Sequence, residues 1–114
     1  MTSPTSRRAP ETFGEDAVVL LDFSGEVFHW RGPAPYHFVA LPEEDAAAVQ
    51  DVAREVTYGW GVIPVRALLG GTEWPTSLFP KDGGFLLPLR VSVRKAEGVA
   101  LGDLVDVRLA VVRP

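Results

Sequence analysis

The chain has no cysteine, a single methionine and only two histidines among its 114 residues. Without thiols it forms no disulfide, no thiolate nucleophile and no thiolate metal site. Its two imidazoles, His29 and His37, lie either side of a Gly-Pro-x-Pro turn, so neighbouring strands can bring them together. Zinc normally takes a third protein ligand; Asp22 or Glu26 would serve, but nothing in the spacing demands either, and no metal or other cofactor is expected. No apolar run approaches the roughly 18 residues of a membrane helix. Met1–Arg8 is not followed by a hydrophobic signal segment, so a cytoplasmic protein is the expectation. Cationic residues are also outnumbered, 11 Lys and Arg against 15 Asp and Glu, for a formal net charge of −4. Such a field repels phosphate and disfavours nonspecific nucleic-acid binding. There is no Gly-x-Ser-x-Gly elbow, and no glycine cluster is followed by Lys-Ser/Thr, so Gly59-x-Gly61, Gly70-Gly71 and Gly83-Gly84 read as turns rather than phosphate loops.

Hydrophobic residues at 46% and charged residues at 23% describe an ordinary soluble domain. One core burying roughly two-thirds of the unfolded surface is expected at this length. Residues 1–16 are rich in Ser, Thr, Pro and Arg, with an isolated Phe13 and no period. Such a segment buries too little apolar area to offset its ordering entropy and reads as a flexible arm. The ordered domain is expected over 17–114.

Val18–Trp30 alternates Leu21, Phe23 and Val27 against Asp22, Ser24 and Glu26, the pattern of a half-buried strand. Pro33 and Pro35 stop it, and Tyr36–Leu41 makes a second short strand. Pro42 suits a first helical turn, where Glu43, Glu44 and Asp45 complement the positive end of the dipole. Ala46, Val49, Ala53 and Val56 then recur at helical spacing, predicting one α-helix over about 43–56. Three strands follow, Val62–Leu69, Thr72–Phe79 and Phe85–Val93, joined by Gly70-Gly71 and by Lys81-Asp82-Gly83-Gly84. Pro64, Pro75 and Pro88 lie inside them and require edge or bulge positions. Leu104–Val112 is the last strand.

The segment from Leu86 to Val107 carries the most fold information. It reads as strand, one short helical turn, glycine, apolar clamp, Gly-Asp turn and strand, the pattern of a chain crossing over itself in a compact barrel. Gly98 is expected left-handed after the helical turn, and Gly102 opens a tight turn. The reading is mainly β: a small closed barrel of about six to seven strands with one helix.

Trp30-x-Gly32-Pro33-x-Pro35-Tyr36-x-Phe38-Val39-x-Leu41-Pro42, Trp60-Gly61, Trp74-x-Thr76-Ser77-Leu78-Phe79-Pro80 and Gly84-x-Leu86-Leu87-Pro88, in that order, resemble the domain-of-unknown-function family 1905. The last segment is also similar to the swapped-hairpin half of AbrB-type barrels. The resemblance implies a small closed β-barrel with one helix. Family members occur alone or joined to a bacteriocin-protection type domain, which would then be a separate partner; no activity is implied.

Three tryptophans stand beside turns or polar residues: Trp30, Trp60 and Trp74. With His29, Tyr36, His37, Arg66, Ser77 and Arg90 they form a candidate groove for a small molecule or peptide, stacking a flat or anionic ligand. The alternative is that the indoles plug the barrel ends. Arg90, Arg94 and Lys95 stand where AbrB-like proteins present basic residues to DNA, but they are few and the chain is acidic; solvating the short turn is the other reading. Ser77 as a nucleophile needs a base and an oxyanion hole that a sequence does not display. Three functions are therefore carried forward. The first is a non-catalytic binding or interaction module, as monomer or homodimer. The others are an AbrB-like nucleic-acid protein and an enzyme using His29, His37 or Ser77.

Overall fold

The computed structural model describes residues 13–31, 35–56 and 61–113, with the backbone alone for Arg31, Pro35 and Tyr36. Seven strands and two helices follow in the order β1 (Ala17–Glu26), β2 (Phe28–Arg31), β3 (Pro35–Ala40), α1 (Glu43–Val56), β4 (Ile63–Leu69), β5 (Thr72–Lys81), β6 (Gly84–Leu89), α2 (Val91–Glu97) and β7 (Leu104–Val112). All ladders are antiparallel, in the order β1-β7-β4-β5-β6-β3-β2.

The expected closed barrel is corrected to an open half-barrel. No ladder joins the two end strands, β1 and β2, because they are successive pieces of one stretch of chain. The single strand expected over 18–30 breaks at Val27, which is 1% exposed. There the backbone turns away from β7 and bonds instead to the 102–103 turn: Val27 N–H donates to Asp103 O (2.9 Å) and Gly102 N–H to Val27 O (2.8 Å). Phe28 onward then pairs with β3. The sheet's ends are tied covalently at Val27, and each keeps one unpaired edge.

A second correction concerns residues 85–93, expected as one strand. β6 ends at Leu89, and 91–97 form a second helix where one was expected overall. Strands β5 and β6 pair only from Phe79↔Leu86 to Lys81↔Gly84 and then part. With no β5 partner past Leu86, the 91–97 backbone satisfies its own hydrogen bonds as a helix. Helix α2 packs against β5 at this seam, and its Val93 (2% exposed) enters the core.

The same divergence accommodates the prolines. Pro75 faces Arg66 of β4 and Pro88 faces Phe38 of β3, and neither has a partner across the β5–β6 seam. Pro64 pairs with Ser77 just before the β4–β7 ladder starts at Val65. Each lacks a ladder on one side, where a missing N–H costs nothing. The β5–β6 hairpin closes with two residues, Asp82 (φ 51°) and Gly83 (φ 82°), both positive as a type I′ turn requires.

Helix α1 occupies the expected 43–56, burying Ala46, Val49 and Val56 against the sheet. One main core collects the inward residues of the strands with those of both helices. A smaller cluster on the outer face joins Leu68 of β4 and Ala110 of β7 to Phe13, which is 4% exposed. Phe13, read in the sequence as an isolated residue of a flexible arm, is thus a packing residue. Residues 13–16 form a turn, closed by Ala17 N–H to Gly14 O at 3.1 Å. Ordered structure therefore reaches at least four residues upstream of Ala17; residues 1–12 lie outside those described.

Gly98 caps α2 in the left-handed conformation (φ 65°, ψ 38°), and Gly102 has φ 88°, both as expected. A Cβ at either position meets no atom within 4 Å, so substitution is opposed by backbone conformation alone. Gly98→Val and Gly102→Val should each lower the unfolding free energy by about 1–3 kcal/mol. Lys95→Ala, on the exposed side of α2, should change it by less than about 0.5 kcal/mol. Urea denaturation of the three variants checks this; glycine variants with the wild-type midpoint would contradict the strain.

Candidate functional site

Strand alternation sorts the candidate residues onto two faces. On β2 and β3, Phe28, Trp30 and Phe38 share the outer face, with Trp30 edge-on to Phe38 at 5.6 Å between centroids. Trp30 is 40% exposed, and Lys81 Nζ lies 5.1 Å from its ring centroid, a cation–π distance. His29 and His37, one residue out of phase, lie on the opposite face, which includes Val39, Leu87 and Leu89 of the core. They are direct cross-strand partners, with ring centroids 5.8 Å apart and planes at 74°. Among the described residues no group of three His, Cys, Asp or Glu side chains is placed to hold a metal ion.

On β5, Trp74 points inward and is 4% exposed, part of the main core. Ser77, an odd number of residues further on, lies on the outer face, as does Arg66, whose guanidinium pairs with Glu73 at 3.6 Å. Arg90 precedes α2 and reaches across the seam, donating from Nη2 to the Pro75 carbonyl at 2.8 Å. Trp60 lies outside the described residues, as does the side chain of Tyr36. The nine groove candidates are therefore not one groove: Trp30, Arg66 and Ser77 belong to the outside of the sheet, and His29, His37 and Trp74 to the inside.

Elements around this region carry three buried polar atoms without partners. His37 Nδ1, Trp74 Nε1 and Arg94 Nε are each buried and make no hydrogen bond among the described residues. They come from three elements that border the β5–β6 seam. His37 of β3 is opposite Leu89, the last residue of β6. Trp74 of β5 precedes the residue whose carbonyl takes the Arg90 bond. Arg94 lies one turn beyond Arg90 on α2, and its charge reaches His37. Orphaned buried donors are uncommon in folded proteins, where a lost hydrogen bond costs about 1–3 kcal/mol. The sequence reads Arg94 only as a solvated or DNA-facing cation, and nothing in its spacing marks the buried Nε.

Burial, the Arg94 guanidinium and His29 all hold the His37 imidazole below its ordinary pKa of 6.5. A depressed histidine pKa means that the unfolded chain binds the proton more readily than the folded one. The contribution is therefore complete above about pH 6.5 and is lost as pH falls through the folded-state value. The denaturation midpoint of the wild type should fall between pH 7 and pH 5, and less so in His37→Gln. Equal slopes in the two proteins would remove His37 as the cause.

The longest helix described has 14 residues, and no helix among those described is long and apolar enough to cross a membrane. A comparison with curated proteins finds none that matches the chain. Residues 23–109, most of the chain and including both histidines, the seam and α2, match the family model described as a domain of unknown function (DUF1905), and the chain belongs to that family.

Proposed function

We propose that this domain is a binding module without chemistry of its own, holding a small polar molecule, or a polar group of a peptide, at the seam between β3, β5 and α2. The observation that carries this reading is that three buried polar atoms, of His37, Trp74 and Arg94, have no hydrogen-bond partner among the described residues and lie on elements that flank one break in the sheet. Binding sites commonly pair an apolar lining with a few convergent polar groups of this kind. Leu89 and Val93, both in the core beside the seam, supply apolar lining.

Catalysis is disfavoured by the same geometry. Ser77 lies on the outer face and His37 on the inner, so the sheet itself separates the one candidate nucleophile from the candidate base. The AbrB-like nucleic-acid reading needs several cations facing phosphates together. Arg90 is exposed but gives a donor to the Pro75 carbonyl, Arg94 has its Nε buried, and with Lys95 they make a sparse cationic face for phosphates.

The test follows tryptophan emission while small-molecule libraries are titrated. A saturable change that persists in Trp30→Phe and disappears in Trp74→Phe supports a ligand at the seam. A saturable change that needs Trp30 and not Trp74 would move the site to the outer face and overturn the proposal.

A further inference from the structure

We infer that the facing imidazoles of His29 and His37 make β2 an acid-released strand, which parts from β3 in mild acid and uncovers Phe38. The release does not depend on any ligand at the seam. His29 and His37 are direct cross-strand partners, their ring centroids 5.8 Å apart and their planes at 74°. Histidine is the side chain that changes charge between about pH 5 and pH 8. Like charges directly opposite on neighbouring strands are destabilising. Acid therefore turns a ring contact into a repulsion across the β2–β3 ladder.

The surrounding groups add to that repulsion. Burial, then the Arg94 guanidinium of α2, then His29 itself hold the His37 imidazole below its ordinary range. On β6 the residue opposite His37 is Leu89, which carries no charge, and β1 approaches β3 at Gly25 against Val39. On the other face of β2, Lys81 lies over Trp30 and is paired with Asp82 at 3.0 Å. A released strand returns both imidazoles to water, where His37 takes its proton more readily. Each step down in pH through the histidine range therefore favours the released form.

Of the seven strands β2 is the one built to yield. It ends the sheet, is four residues long and pairs with β3 alone among the described strands. Short, one-sided elements of this kind lie at the low end of a protein's local stabilities. Upstream, Val27 is 1% exposed and bonded through its N–H and its carbonyl to the 102–103 turn, which fixes the chain where β2 begins. Release is thereby confined to 28–31 and does not spread into β1. Phe38 is what it uncovers. That ring is 2% exposed, with the centroids of Phe28 and Trp30 of β2 at 6.2 and 5.6 Å from its own.

Amide hydrogen exchange of the full chain, labelled with nitrogen-15 and held at constant ionic strength, tests this between about pH 7.5 and about pH 5.5. Each rate is corrected for the intrinsic pH dependence of exchange. The amides of 28–31 and 37–38 that the β2–β3 ladder protects should lose about tenfold in protection over that span. This is the factor for one imidazole that stays neutral while paired and binds its proton at about pH 6.5 once released. Amides of β4 and β7 should keep their protection. His37→Gln should abolish the step and His29→Gln should reduce it. A step that survives in the double variant overturns the inference, because the imidazoles are then not its cause. So does equal loss in β2 and β7, which makes acid a global destabiliser. Protection of β2 that is unchanged in acid, or already absent at about pH 7.5, overturns it as well. The contrast between β2 and β7 is read in the wild type, so it stands whether or not a variant folds.

Discussion

Leu109→Ala is expected to lower the unfolding free energy by about 2–5 kcal/mol, the range for deleting a fully buried leucine side chain. Leu109 is 0% exposed and sits in β7, directly opposite Leu21 of β1 and Ala67 of β4. Because both flanking strands are held by full ladders, the space left by the side chain closes poorly, which favours the upper part of the range. Domains of this size have only about 5–15 kcal/mol in total, so the variant should be near the limit of folding at physiological temperature. The same chemical change at Leu104, in the same strand but 74% exposed, should cost less than about 0.5 kcal/mol. Guanidinium denaturation of the pair checks the contrast. Equal losses would mean that β7 does not run through the core in this register.

Gly25→Val should rank next, at about 3 kcal/mol, the upper part of the usual range for forcing extra volume into a packed site. Gly25 needs no positive φ; its constraint is space. A Cβ built there lies 2.5 Å from Val39 Cγ1 and 3.4 Å from the Ala40 carbonyl oxygen. Neither neighbour yields easily, since Val39 is 0% exposed and paired with Leu87 in the β3–β6 ladder. This is the point at which β1 passes over β3 before the break at Val27. Gly25→Ala should be milder, and Val39→Ala should partly relieve it, so that the double variant is more stable than the sum of the singles implies. Strict additivity of the two in thermal or chemical denaturation would show that the crossing is looser than described.

Much of the architecture was legible because it rests on local rules. The 3.6-residue recurrence of Ala46, Val49 and Val56 behind Pro42 and three acids specifies α1, and the structure has it at Glu43–Val56. Asp82-Gly83 accepts positive φ at two successive positions, so the β5–β6 hairpin needs no tertiary help. Gly98 and Gly102 mark left-handed positions for the same reason. That His29 and His37 pair was also open to local sequence, since two short strands so close along the chain readily become neighbours.

What escaped the sequence depends on which strands meet. Val91 and Val93 favour an extended chain by intrinsic preference, yet they lie in α2, because β5 and β6 part beyond the Phe79–Leu86 pair and leave the backbone that follows β6 no β5 ladder to join. Val27 continues the alternation of β1 faultlessly. Only the approach of the 102–103 turn makes it a break, and with it an open half-barrel in place of a closed one. Phe13 has no periodic company and gains its meaning from Leu68 and Ala110, far along the chain. The seam is of this second kind. Residue types alone grouped Trp30, Arg66 and Ser77 with His37 and Trp74, but a one-residue phase difference places the first three on the far side of the sheet. Period, caps and turn chemistry belong to the sequence itself. The break in the β5–β6 ladder, and the partly buried Arg94 beside it, come from the long-range pairing of strands, a free-energy balance that no short window of residues contains.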